Sequence, residues 1–365
     1  MVAFDSLFEF VRPKIQHCFE QPNPRVRAPS LESVGSVEYI NRRIRRFLLL
    51  LSIKYKMTLL TTSIQVTKHT KYKLNNGQQI PIAGYGVYDI PRKETKALVY
   101  RALKDGYRHV DTAEGYGNQG EAASAIADFL KDHPEVSRRD IWFTTKISDK
   151  NHGYETTKKA VEKIANEVKQ YVDYVDLILI HSPLADKESR LGTWKALQEH
   201  VIDPTHPVLS VKSIGVSNYG VNAINEILQW EGFIVKPVIN QLELHPWLPR
   251  VELRNFLIAN DIAVEAYSPL TQGVKLNDPE LCALEKKTGI SKIKLLLTWS
   301  FLQGFIVLAK TAHPDRIKQN LDVLPDGDDE NDHGKLDLDP DVLQVFDKPD
   351  SVEILTWGGR DLTLL

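Results

Sequence analysis

Four side chains in this sequence could together deliver a proton to a carbonyl oxygen: Asp111, Tyr116, Lys146 and His181. A tyrosine with an ordinary pKa of ~10 is a reluctant acid near neutral pH. A lysine ammonium ~4 Å from the phenol, at an effective dielectric of ~20, favours the phenolate by ~4 kcal/mol. That is enough to bring the phenol toward its working range. An aspartate beside the lysine would hold the ammonium in place, and an imidazole could turn a carbonyl oxygen toward the phenol. Such a set protonates an oxyanion as hydride arrives at its carbon. Singly, each residue has a plainer reading: a loop-capping Asp, a solvated strand-end Lys, a half-buried His. Only their joint placement argues for chemistry.

That placement depends on the elements that carry them. From residue 72, short apolar runs alternate with amphipathic helical ones. Candidate strands lie at 83–88, 108–112, 141–146, 175–181, 211–217, 237–243, 262–268 and 304–310. Helical stretches such as 94–106 and 155–171 fall between them, seven in all, and a last helix starts near Pro314. Asn76-Gly77 between two short runs signals a hairpin ahead of the first strand. Strands separated by helices pair in parallel through right-handed crossovers. Eight such units in roughly 250 residues have the size of an α/β (β/α)8 TIM barrel, with a doubly wound open sheet as the rival. In a barrel, reactive groups sit at the C-terminal strand ends. Asp111 then ends the second strand with Tyr116 in the following loop, Lys146 ends the third and His181 the fourth.

Composition sets outer limits. The 365 residues are 42% hydrophobic and 26% charged with a formal net charge of −2, which gives no support for nucleic-acid binding. No apolar run approaches the ~18 residues of a membrane span. The longest, 47–53, is flanked by Arg46 and Lys54. Two cysteines, Cys18 and Cys282, have no metal-ligand spacing and form no disulfide framework, so a reducing, cytoplasmic location is expected. Residues 1–57 hold ten Lys/Arg against five Asp/Glu, including the cluster NRRIRR at 41–46. We read 1–66 as a poorly ordered basic extension outside the fold, with Met57 as the start. Residues 67–365 are read as one domain. The acidic stretch 325–335 is read as a solvated extended C-terminal loop rather than a metal site.

The blocks around the four residues bear a close resemblance to the aldo-keto reductases. They are HVDTA (109–113) with Tyr116, FTTKIS (143–148), DLILIHSP (176–183), GVSNY (215–219), NQLELHP (240–246), EAYSPL (265–270) and AKTAHPDRIKQN (309–320). The resemblance runs from about 70 to 322. It implies a (β/α)8 barrel with an N-terminal β-hairpin, and the segment GYGNQG (115–120) then presents Tyr116 rather than cradling a pyrophosphate. It implies Tyr116 as general acid, Lys146 and Asp111 as its tuning pair, and His181 as the residue orienting the carbonyl. Ser217, Asn218 and Gln241 would hold the carboxamide of a nicotinamide, Tyr267 would stack on its ring, and Ser268 and Leu270 would line the pyrophosphate path. Lys310, Thr311 and Arg316 look like a clamp for an adenosine 2′-phosphate, with Asn320 near the adenine, so NADPH is the implied cofactor.

Some positions depart from the family pattern. Ala309 replaces a common Pro before the clamp, and Gln319 replaces a common Glu. Tyr88 and Ser182 replace aromatics of the substrate pocket and are expected to make it more polar. The implied activity is reduction of a small aldehyde or ketone by a monomer or homodimer. The alternative is a cofactor-sensing binding subunit of the same fold with little turnover. A Schiff-base enzyme using Lys146 would need that lysine neutral, which Asp111 opposes.

Overall fold

The computed structural model describes residues 61–327 and 334–365. The eight expected strands all form and close into one barrel, each parallel to its neighbours in chain order. They are β1 (Ala83–Gly86), β2 (His109–Asp111), β3 (Trp142–Ile147), β4 (Leu177–Ile180), β5 (Ile214–Ser217), β6 (Ile239–Glu243), β7 (Ala263–Tyr267) and β8 (Ile306–Ala309). The six helices joining β1 through β7 are α1 (Arg92–Lys104), α2 (Gln119–Asp132), α3 (Tyr154–Val168), α4 (Lys187–Ile202), α5 (Val221–Leu228) and α6 (Val251–Ala259).

The seventh connection differs from the single helical segment expected there. It holds two helices, α7 (Pro279–Thr288) and α8 (Lys292–Leu302). Gly289, at φ 70°, ends the first in the left-handed conformation, and the Ser291 side chain accepts from Lys294 N to start the second. After β8 come α9 (Pro314–Leu321), starting where expected, and α10 (Pro340–Phe346).

Alternation along the strands divides the barrel wall from its lumen. Phe143 and Ile147 on β3 join the large core shared with the helices, and Thr145 on the same face bonds Gln119 of α2. Trp142, Leu177, Leu179, Ile239 and Ile306 form a separate apolar cluster at the lower end of the lumen. A hairpin, Lys71–Lys73 paired with Gln79–Pro81, closes that end by packing Leu74 and Ile80 on the cluster. Its turn residue Asn75 donates to the carbonyls of Pro237 and Asp261, tying it to the chain just before β6 and β7. Higher in the lumen the same strand faces turn polar: His109 and Asp111, Thr144 and Lys146, Gln241 and Glu243, Glu265 and Tyr267. An apolar floor under a polar mouth confines the ionisable groups to one end.

The lower boundary of the fold lies before residue 67. Ser63–Gln65 pair antiparallel with Lys335–Asp337, and Lys68 binds Asp322 and Asp326, both at 2.6 Å. Residues 1–60 of the expected extension, with Cys18, Met57 and the 41–46 cluster, lie outside the described residues, as do 328–333 of the acidic stretch. Beyond α10, the chain returns to the mouth: Ser351 Oγ and Glu353 N both donate to Trp247 O. Among the described residues no helix is long and apolar enough to cross a membrane.

Candidate active site

The second strand delivers Asp111 to the mouth and the chain then makes a single 3-10 turn, Glu114–Tyr116, closed by Gly117 at φ 69°. This turn is anchored from below. The buried Glu114 carboxylate accepts from Asn151 Nδ2 and Ser148 N, both past the end of β3. Asn118, also buried, donates to Val87 O and accepts from Thr112 Oγ1. Within 115–120, Asn118 thus ties the Tyr116 turn to the chain beyond β1 and β2, while Gln119 bonds Thr145 and Glu167.

Lys146 is fully buried and its ammonium donates to Asp111 Oδ1 at 2.7 Å, Asp111 Oδ2 at 2.8 Å and Thr112 O at 2.8 Å. An ammonium has three protons, and all three are engaged. Tyr116 lies beside this pair, with Lys146 Nζ 5.1 Å from its ring centre. The His181 ring meets the Tyr116 ring edge-on at 5.6 Å. Asp111, Tyr116, Lys146 and His181 therefore surround one point. Neither the Tyr116 hydroxyl nor the His181 ring has a hydrogen-bond partner among the described residues.

The electrostatics correct one expectation. Lys146 was expected to pull the Tyr116 phenol down, but burial pushes the phenol well above its ordinary value, and Asp111 and Tyr88 push the same way. Burial is the largest cause, and the Lys146 protons go to Asp111 and Thr112 O rather than to the phenol oxygen. Tyr116 is held protonated. His181 is pushed down to about 3, first by burial and then by Lys146, so its imidazole is neutral.

The expected cofactor residues fall into three groups. Ser217 and Asn218, at the end of β5, sit close to Gln241: Ser217 Oγ donates to Gln241 O at 2.9 Å, and Asn218 Nδ2 donates to His181 O at 3.0 Å. Gln241 Nε2 donates to Asp111 Oδ2 at 3.0 Å. Tyr267 ends β7, and its hydroxyl donates to Asn218 Oδ1 at 2.8 Å. The chain beyond it is strained, with positive φ at Ser268, Thr271 and Gln272 around the half-buried Leu270. Lys310 follows β8, the strand paired with β7, and Arg316 lies in the first turns of α9. Both are exposed, and neither is in an ion pair among the described residues. Thr311 and Asn320 are buried beside them.

Of the two pocket residues, Tyr88 is 58% exposed and stacks edge-on against Tyr116 at 5.1 Å. Ser182 does not make the pocket polar: it is fully buried, and its hydroxyl donates to Asp149 Oδ1 at 2.6 Å and accepts from Leu184 N. A third aromatic, Trp357, sits at the site. Its ring lies edge-on to His181 at 5.6 Å and its Nε1 donates to the Tyr267 hydroxyl. Glu243 secures this C-terminal strap by accepting from Leu355 N, Thr356 N and Thr356 Oγ1. Cys282 is half-buried and free.

The aldo/keto reductase family model matches residues 82–336. An uncharacterized oxidoreductase of Saccharomyces cerevisiae is 39% identical, covering 80% of this chain and 98% of the relative. A glycerol 2-dehydrogenase (NADP(+)) of Hypocrea jecorina is 36% identical, covering 71% and 89%. The crystal structure of an aldo/keto reductase from Brucella melitensis superposes with a TM-score of 0.66 at 38% identity, covering 77% of this chain and 99% of the other. The barrel, the order of its strand-end residues and these likenesses agree: this chain belongs to the aldo/keto reductase family.

Proposed function

We propose that this oxidoreductase reduces the carbonyl of a small aldehyde or ketone with NADPH. The observation that carries the reading is the pair of unpartnered groups at the mouth, the protonated Tyr116 hydroxyl and the neutral His181 ring, above a closed Lys146–Asp111 pair. When bound, NADPH supplies the hydride to the carbonyl carbon. His181 holds the carbonyl oxygen toward Tyr116, and Tyr116 gives that oxygen its proton as negative charge develops there. Burial that raises the phenol keeps the proton in place until the oxygen becomes basic enough to take it. Lys146 and Asp111 act as a rigid neutral base under the phenol. A Schiff base on Lys146 is disfavoured because all three of its protons are bound and its partner is a buried carboxylate.

The residues fit the cofactor. Two cations in no ion pair among the described residues, Lys310 and Arg316, stand with the start of α9 where a phosphate dianion gains charge-assisted hydrogen bonds. That favours NADPH over NADH, as does the likeness to the glycerol 2-dehydrogenase (NADP(+)) of Hypocrea jecorina. Ser217, Asn218 and Gln241 would hold the carboxamide, with Tyr267 as the stacking face, Ser268 and Leu270 along the pyrophosphate and Asn320 near the adenine. Tyr88 and Trp357 would flank the substrate.

The test is loss of reduced-nicotinamide absorbance with purified protein, NADPH or NADH, and a panel of aldehydes, ketones and sugars. Tyr116→Phe should lower turnover by ~10²–10⁴-fold, the usual worth of a positioned general acid, and keep NADPH affinity. Unchanged turnover in that variant would overturn the role of Tyr116. Tight NADPH binding without consumption of any carbonyl would favour the sensing subunit instead.

A further inference from the structure

Directly beneath the site lies a carboxyl group that the reaction does not use. Glu265 is in the middle of β7 and fully buried. Its cross-strand partner on β6 is Gln241. Gln241 Nε2 donates to Glu265 Oε2 at 2.7 Å and to Asp111 Oδ2 at 3.0 Å, so both of its amide protons are committed. Its own oxygen has no partner among the described residues.

The other Glu265 oxygen, Oε1, is buried without a hydrogen bond and lies 3.6 Å from His109 Nε2. His109 Nδ1 lies 3.3 Å from Pro81 O, which can only accept. The Nδ1 therefore carries the ring proton, and Nε2 presents a lone pair to Oε1 and to Thr144 Oγ1 at 3.4 Å. A carboxylate there would set lone pair against lone pair, whereas a carboxylic acid with its proton on Oε1 would not. Burial, with Asp111 behind it, pushes Glu265 up to about 8, and burial pushes His109 down to about 3. The contact is thus a neutral acid facing a neutral imidazole, and not an ion pair.

The consequence falls on Gln241. A glutamine amide can be rotated to exchange its oxygen and nitrogen, and only its neighbours decide which way it points. Asp111 and Glu265 both offer acceptors, so the nitrogen faces them and the oxygen is left for whatever enters the mouth. We propose that Glu265 is a positioning residue that, together with Asp111, orients the Gln241 amide so that its oxygen receives the N–H of the nicotinamide carboxamide. This rests on the NADPH reading above.

Two probes and two variants test it. NADPH carries the carboxamide; adenosine 2′,5′-bisphosphate lacks it but keeps the adenine and the 2′-phosphate assigned to Asn320, Lys310, Thr311 and Arg316. Glu265→Leu removes the acceptor at similar bulk, and should weaken NADPH about tenfold by fluorescence titration, the worth of one well-placed hydrogen bond. Affinity for the bisphosphate should not change. Glu265→Gln copies the protonated acid, with an oxygen to accept from Gln241 and an NH2 to donate to His109, and should keep NADPH affinity within about twofold. Wild-type NADPH affinity in Glu265→Leu, equal losses for both probes, or a glutamine variant as weak as the leucine one would each overturn the assignment. If the unaltered protein binds neither probe, the NADPH reading fails and the role of Glu265 falls with it.

Discussion

Replacing Lys146 by Met tests whether its ammonium neutralises Asp111. The ammonium is fully buried and gives two of its three hydrogen bonds to Asp111, which is itself only 4% exposed. Methionine fills much of the same space but leaves the carboxylate with Gln241 Nε2 as its remaining side-chain donor. Removing one partner of a buried pair costs about 3–5 kcal/mol, because the other charge stays in a low-dielectric site. A kilocalorie per mole moves the melting temperature of a domain somewhat smaller than this one by roughly 2–4 °C, so Lys146→Met should melt on the order of 10 °C lower. Adding Asp111→Asn removes the stranded charge and keeps an acceptor for Gln241, so the double variant should recover most of the loss. Calorimetry on the wild-type, single and double variants closes the cycle. A single variant as stable as wild type, or a double variant no more stable than the single, would refute the reasoning.

Three other perturbations separate the parts of the molecule. Lys310→Ala removes one charge-assisted hydrogen bond and should weaken NADPH by about 2 kcal/mol, roughly thirtyfold, with little effect on NADH; equal losses in a titration with both would remove the clamp. Gly220 lies where an added Cβ would stand 1.8 Å from Thr363 O, so Gly220→Ala should displace the C-terminal strap that Arg250 binds through Asp361. Faster cleavage of the C-terminus by carboxypeptidase, with barrel circular dichroism unchanged, is the expected result, and unchanged cleavage would contradict it. The third concerns pH. Glu265 titrates at about 8 in the folded chain but at ~4.3 when unfolded, so the folded state binds the extra proton and stability falls as pH rises through that window. His109 and His181, lowered to about 3, act oppositely, losing stability only as pH falls below ~6.5. From pH 6.5 to 8 the unfolding free energy should therefore drop in wild type, by up to ~1.4 kcal/mol per pH unit, with the melting temperature falling alongside, and much less in Glu265→Gln. Equal slopes in the two proteins would assign the effect to another group.

Asp111, Tyr116, Lys146 and His181 were legible because each ends or follows a strand whose apolar run stands out between amphipathic helices. Counting strands was enough to place them on one rim. Glu265 carried a readable signal too: it is two residues before Tyr267 on an alternating strand, and so shares its inward face. That signal is weak, because a glutamate in a strand reads as solvent-facing until the barrel closes around it. The split of the seventh connection was also written locally, in Gly289 and Ser291. Ser182 misled for a different reason. Its type suggests a polar pocket, but a hydroxyl points wherever its nearest acceptor lies, and that acceptor, Asp149, comes from another loop.

By itself, then, the chain determined the barrel and the rim, since periodicity and strand-end position are local properties that survive without knowledge of distant contacts. Only the tertiary structure decided the electrostatics of the site and the closing of its mouth. Whether Lys146 lowers the Tyr116 phenol depends on where three ammonium protons go, and two of them go to a carboxylate 35 residues away. Whether Trp357 belongs to the site depends on a strap held by Glu243, 113 residues earlier at the Thr356 contact. Fields and hydrogen bonds act over a few ångströms in space and take no account of separation along the chain, so no reading of neighbours in sequence could have set their sign.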